Sequence, residues 1–192
     1  MIRSRRQFRS AVSILFGSAL ALVVASPARA QAPRATPDKG VVGYGFDAGV
    51  LFPDAAFENT LTLDAFGEFY LTPRVSVRGM LAWASPGVTS RTEDHLRQVK
   101  LLFGGNYNWA YKRLRPFAGG GAGAYFVRLK LDALNDPEGE SRGGLYFGGG
   151  TDYIIDDESA IKVEVRWDVI SDPPGLPDAS GATLTVGYKR FF

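Results

Sequence analysis

The chain has 192 residues, enough for one domain. It has no cysteine and a single histidine, His95, which excludes disulfides, thiolate zinc sites, cysteine nucleophiles and any metal site built on several imidazoles. The formal charge of +2 is misleading: Arg3, Arg5, Arg6, Arg9 and Arg29 fall within an acid-free first 30 residues, which leaves 17 basic against 20 acidic side chains, about −3, in the rest. That balance gives no support for nucleic-acid binding, which needs a concentrated basic patch.

Residues 1–30 read as a secretory signal peptide. Four arginines form the positive start, residues 11–25 (AVSILFGSALALVVA) form the apolar stretch, and Ala28-Arg29-Ala30 fits a small-x-small cleavage pattern. The mature chain would then begin at Gln31. An uncleaved anchor is the alternative, but the apolar run is shorter than the ~20 residues a spanning helix needs. Residues 31–40 (QAPRATPDKG) are polar and proline-bearing, and are expected to be a flexible lead-in to a barrel over 41–192.

From Val41 onward the hydrophobic period is two. Eight strands are expected, over 41–52, 60–71, 75–83, about 97–109, 116–129, 144–155, 161–169 and 182–192. The seventh is the cleanest: Ile161, Val163, Val165, Trp167 and Val169 alternate with Lys162, Glu164, Arg166 and Asp168. In the fifth, the apolar face is read as Phe117, Gly119, Gly121, Gly123, Tyr125, Val127 and Leu129, which places Arg128 on the polar face. Connections alternate too. Short links (72–74, 110–115, 156–159) are interleaved with mostly longer ones (53–59, 84–96, 130–143, 170–181). The fold class is therefore an all-β, eight-stranded antiparallel up-and-down transmembrane barrel.

Period two alone does not say which face meets lipid, because a soluble ligand-binding barrel alternates with the faces reversed. The polar face carries six acids (Asp47, Asp64, Glu68, Asp152, Glu164 and Asp168) and six bases (Arg78, Lys100, Arg128, Lys162, Arg166 and Lys189). Such a set can pair and fill a narrow bore. Trp83, Trp109 and Trp167 lie on the apolar face near strand ends, joined on the short-turn side by Tyr107, Tyr153, Tyr188 and Phe192. These are the expected membrane-interface aromatics.

The stretches RPFAGGGAGAYF (115–126), GLYFGGGTDYII (144–155) and LTVGYKRFF (184–192) resemble the OmpA-like and OmpX-like small outer-membrane barrels of Gram-negative bacteria, over about 41–192. The resemblance implies location in the outer membrane, contact with its lipid and lipopolysaccharide, and recognition of Phe192 by the barrel-assembly machinery. Arg190 departs from the usual apolar third-from-last position.

No cofactor, metal or nucleic-acid partner is expected. Ser90, Glu93 and His95 share an expected loop, a poor scaffold for a catalytic triad. Asp156-Asp157-Glu158 could ligate a divalent cation but reads more simply as a solvated turn. The glycine runs at 119–121 and 148–150 are not phosphate loops, since no Lys-Ser/Thr follows. The leading reading is a monomeric, non-enzymatic barrel that supports the envelope or presents loops 84–96, 130–143 and 170–181 to an extracellular partner. The alternative is a narrow porin-like channel. Less favoured are a lipid-A-modifying enzyme centred on His95 and the soluble barrel.

Overall fold

A computed structural model describes residues 37–53, 58–88, 91–130, 139–171 and 180–192. The expected signal peptide and the first part of the lead-in lie outside the described residues. So do residues 54–57, 89–90, 131–138 and 172–179 of the four longer connections.

The described residues form β1 (Val42–Pro53), β2 (Thr60–Tyr70), β3 (Val75–Ala84), β4 (Gly87–Val88), β5 (Arg91–Asn108), β6 (Leu114–Lys130), β7 (Gly139–Asp156), β8 (Ser159–Ile170) and β9 (Gly181–Phe191). Sheet order is β3-β2-β1-β9-β8-β7-β6-β5-β4, and an added β3–β5 pairing closes the ring. Every pairing is antiparallel between chain neighbours, apart from the β1–β9 seam that joins the two ends and the β3–β5 pair that bypasses two-residue β4. Eight long staves therefore make a closed up-and-down barrel. At the seam the Val42 N–H donates to the Phe192 carbonyl (3.2 Å) and the Phe192 N–H donates back to Val42 (2.9 Å). Closure matters because a sheet in lipid can leave no backbone edge unpaired.

Short turns gather at one rim and are held locally. The Thr72 hydroxyl accepts from the Val75 N–H (2.9 Å), and the Asp156 carboxylate accepts from the Glu158 N–H (2.9 Å). Both are side-chain-to-backbone bonds that favour a turn over a continued strand. Between β5 and β6 the reversal closes on a Tyr111↔Leu114 bridge, with Lys112 at φ 55°.

Alternation along each stave sorts residues into two surfaces. On β8, Lys162, Glu164, Arg166 and Asp168 are buried in the bore, and Ile161, Val163, Trp167 and Val169 are exposed outside. The same sorting holds on β1, β2, β3, β5, β7 and β9. Large exposed apolar side chains occur on all eight staves, including Phe46, Leu63, Leu81, Phe103, Phe126, Leu145, Trp167 and Val186. Apolar surface this continuous is far larger than a soluble monomer tolerates.

Two expectations are corrected. First, β6 faces the other way. Phe117, Tyr125 and Val127 are buried inside, whereas Phe126 and Arg128 are exposed on the outer wall. The cause is packing in the bore: the Phe117 ring lies 5.0 Å from the Arg78 guanidinium, and the Tyr125 hydroxyl donates to Asp168 (3.2 Å). Second, β5, β6 and β7 run 18, 17 and 18 residues. Residues 91–96 and 139–143, expected in loops, continue the ladders in pairs such as Leu96↔Leu129 and Val127↔Glu140. At ~3.3 Å per residue, an 18-residue stave exceeds what a ~30 Å hydrocarbon core requires even when tilted. The polar-patterned ends therefore extend past the apolar band.

Candidate functional site

Among the described residues, ionisable groups converge in the bore. Six carboxylates and seven basic side chains are buried among the described residues. Glu68 (β2) and Arg78 (β3) are direct cross-strand partners, and Asp64 (β2) and Lys100 (β5) share the row through Ala82 four residues nearer the long-loop rim, so the charged groups occupy more than one level along the axis.

Two linked networks result. In the first, the Lys189 ammonium meets the Glu68 carboxylate at 2.5 Å, Asp152 at 2.9 Å and the Tyr70 hydroxyl at 2.8 Å. Glu68 also accepts from Ser76, from Asn106 (3.1 Å) and from Arg78 (3.4 Å). Arg78 carries the chain onward to Glu164 at 2.7 Å, Glu164 takes Lys162 at 2.7 Å, and Lys162 also pairs with Asp47. In the second, Lys100 meets Asp168 at 2.5 Å, Asp168 lies 3.5 Å from Arg166, and Arg166 reaches Asp64 at 3.0 Å. Thr62 donates to the free oxygen of Asp64 (2.9 Å). Removing two charges from water costs several kcal/mol per ion, which further hydrogen bonds at the remaining positions help to offset. Glu68 and Asp64 have those bonds.

Aromatic and aliphatic groups fill the bore among and beyond the ions, with the Phe66, Met80 and Leu102 row lying between Asp64 and Lys100 on one side and Glu68 and Arg78 on the other. Phe66, Met80, Leu102, Tyr125, Val127, Tyr146 and Ile170 form one cluster toward the long-loop rim. Tyr70, Ile154, Ala160 and Phe191 form another at the short-turn rim. Cations rest on these rings: Lys162 lies 4.0 Å from the Phe66 centroid, and Arg115 lies 4.9 Å from that of Tyr70. The arrangement sets its carboxylate-bonded hydroxyls, Ser76 on Glu68 and Thr62 on Asp64, against groups already held in ion pairs. It is a packed ionic filling.

Eleven of the twelve residues expected in the bore are buried there. Arg128 is not; it is exposed on the outer wall. Two basic residues that pattern reading missed take inward positions: Arg115, which donates to the Pro73 carbonyl (2.6 Å), and Arg142, which donates to Glu140 (3.2 Å). Arg115 falls in the link expected over 110–115, but the strand begins at Leu114 and Arg115 takes the inward parity of Phe117 and Tyr125. Arg142 lay in a segment read as loop. His95 and Glu93 belong to β5 rather than to a loop, with His95 in register with Gly87 and Lys130. Ser90 lies outside the described residues.

The aromatics expected at the membrane interface are all exposed outside. Trp83 and Trp167 sit toward the long-loop rim, and Tyr107, Trp109, Tyr153, Tyr188 and Phe192 toward the other. Tyr107 and Trp109 pack edge to face at 5.0 Å, and Phe192 stacks on Tyr44 at 5.0 Å. Arg190 also points outward, where it pairs with Glu158 (2.9 Å) instead of interrupting the apolar band.

A family model described as the outer membrane protein beta-barrel domain matches residues 16–189. The chain belongs to that outer-membrane β-barrel family. Solved structures of outer-membrane barrels share the fold at low identity. Neisserial surface protein A superposes with a TM-score of 0.63 at 9% identity, covering 79% of this chain and 96% of that one. OprG of Pseudomonas aeruginosa gives 0.62 at 12%, covering 83% and 99%. Ail, the attachment invasion locus protein of Yersinia pestis, gives 0.54 at 14%, covering 80% and 99%. No curated protein sequence matches the chain. Family membership places the barrel in the outer membrane, and at these identities the structural matches carry the fold alone.

Proposed function

We propose that this outer-membrane barrel is a non-conducting, non-enzymatic envelope protein that acts through its outer wall and its long-loop rim. The observation that carries the reading is the filled bore: two ion networks are interleaved with apolar clusters, one that includes Phe66, Tyr125 and Tyr146 and one that includes Tyr70 and Phe191. Eight strands enclose an interior that side chains just fill. An open channel would need several of these pairs to separate at once.

In this reading residues 1–30 are removed after export, and the long-loop rim faces outward. Trp83 and Trp167 mark one interface, and Tyr107, Trp109, Tyr153, Tyr188 and Phe192 mark the other. Phe192 is taken as the contact for the assembly machinery. No catalytic role is assigned to His95.

Planar-bilayer recording of the purified, refolded barrel tests the proposal. Current at the lipid background is the expected result. Reproducible unit steps would replace this reading with the porin-like one.

A further inference from the structure

We propose that Arg97 and Arg128 form a docking site on the outer wall for the phosphate groups of an outer-leaflet glycolipid. The two arginines are direct cross-strand partners on β5 and β6. Both are exposed, both point away from the bore, and neither has an ion-pair partner among the described residues. Like charges placed directly opposite on a sheet destabilise it unless an anion lies between them. The nearest acid in register, Glu140, sits opposite Val127 on the inward side and is engaged by Arg142. Gly139, the β7 partner of Arg128, is a glycine and brings no charge.

Height on the wall selects the ligand. Two residues toward the membrane, the outward row is Trp83, Val99 and Phe126, all facing the same way as the arginines. Below Phe126, β6 presents Ala124, Ala122, Gly120 and Ala118, a low strip beside the exposed Phe103 and Phe147. A ligand with phosphate at its head and acyl chains beneath matches this order from rim to apolar band. Guanidinium groups suit it because they bind phosphate through two parallel hydrogen bonds. The short-turn rim differs: there Arg190 is already paired with Glu158.

The inference rests on the orientation proposed above, with the long-loop rim at the outer leaflet. The test is native mass spectrometry of the full mature barrel in detergent, with diphosphoryl lipid A and its dephosphorylated form as probes. The wild-type chain is expected to hold the diphosphorylated lipid about tenfold more strongly, the size expected of a pair of charge-assisted contacts. R97Q/R128Q is expected to lose that preference, and R113Q at the opposite rim to keep it. Both positions are exposed, and the heat-dependent gel shift of R97Q/R128Q checks that it is folded. Equal retention by wild type and R97Q/R128Q overturns the proposal. Displacement by excess inorganic phosphate alone would make the pair a free-anion site and overturn the lipid assignment. Orientation is read separately, by labelling S85C with an impermeant maleimide on intact cells. Labelling combined with equal retention removes this inference only, whereas absence of labelling removes the orientation and the inference with it.

Discussion

Lys189 has no exposed surface and serves three partners at once, the carboxylates of Glu68 and Asp152 and the hydroxyl of Tyr70. Replacing it by methionine keeps most of the volume but leaves the Asp152 carboxylate without its ammonium and Glu68 with Arg78 at 3.4 Å. Breaking a buried pair from one side costs ~3–5 kcal/mol, because an uncompensated charge stays behind. Lys189→Met should therefore lower the urea midpoint at which the folded gel band is lost, by an amount equivalent to that range. Arg190, one residue on, makes its ion pair with Glu158 in the open. Exposed pairs contribute little, so Arg190→Gln should leave the same midpoint unchanged. Equal effects from the two substitutions would mean that the ionic filling does not hold the barrel together.

Among the elements, β8 was legible in the sequence and β6 was not. From Ile161 to Val169 of β8 every outward residue is bulky and apolar and every inward one is charged, so the period fixes the face. On β6 the middle is glycine and alanine, and aromatics fall on both parities, Phe117 and Tyr125 on one and Phe126 on the other. No hydrophobic contrast remains to set its direction. What sets it is the fit of Phe117 against Arg78 and of Tyr125 against Asp168 across the bore, and that information belongs to other strands. Eleven of the twelve expected bore charges could be read from alternation because their strands keep that contrast; Arg128, on β6, could not. The ends of β5 and β7 were missed because RTEDHLR and GESRG lack apolar alternation, yet their backbones go on pairing. The native sequence has no cysteine, so single substitutions report cleanly on β6. In bilayers, Phe126→Cys should react with a lipid-soluble maleimide and Val127→Cys should be protected. The reverse pattern would put Val127 on the lipid side and Phe126 in the bore.

At the scale of the whole molecule, one inversion explains the rest: the ions are inside and the oily surface is outside. The closed ladder satisfies the backbone, the paired charges fill the centre, and the apolar band has nowhere to be stable except among acyl chains. Trp83, Trp109 and Trp167 report on this directly, since all three are exposed on the outer wall and there is no other tryptophan in the chain. The decisive measurement is tryptophan fluorescence of the refolded barrel in vesicles made with brominated phospholipids, set against quenching by aqueous iodide. Strong quenching by bromine placed near the headgroups, weaker quenching by bromine at the bilayer centre and little effect of iodide is the predicted result. Efficient iodide quenching with no effect of bromine at any depth would contradict it, because the wall would then face water.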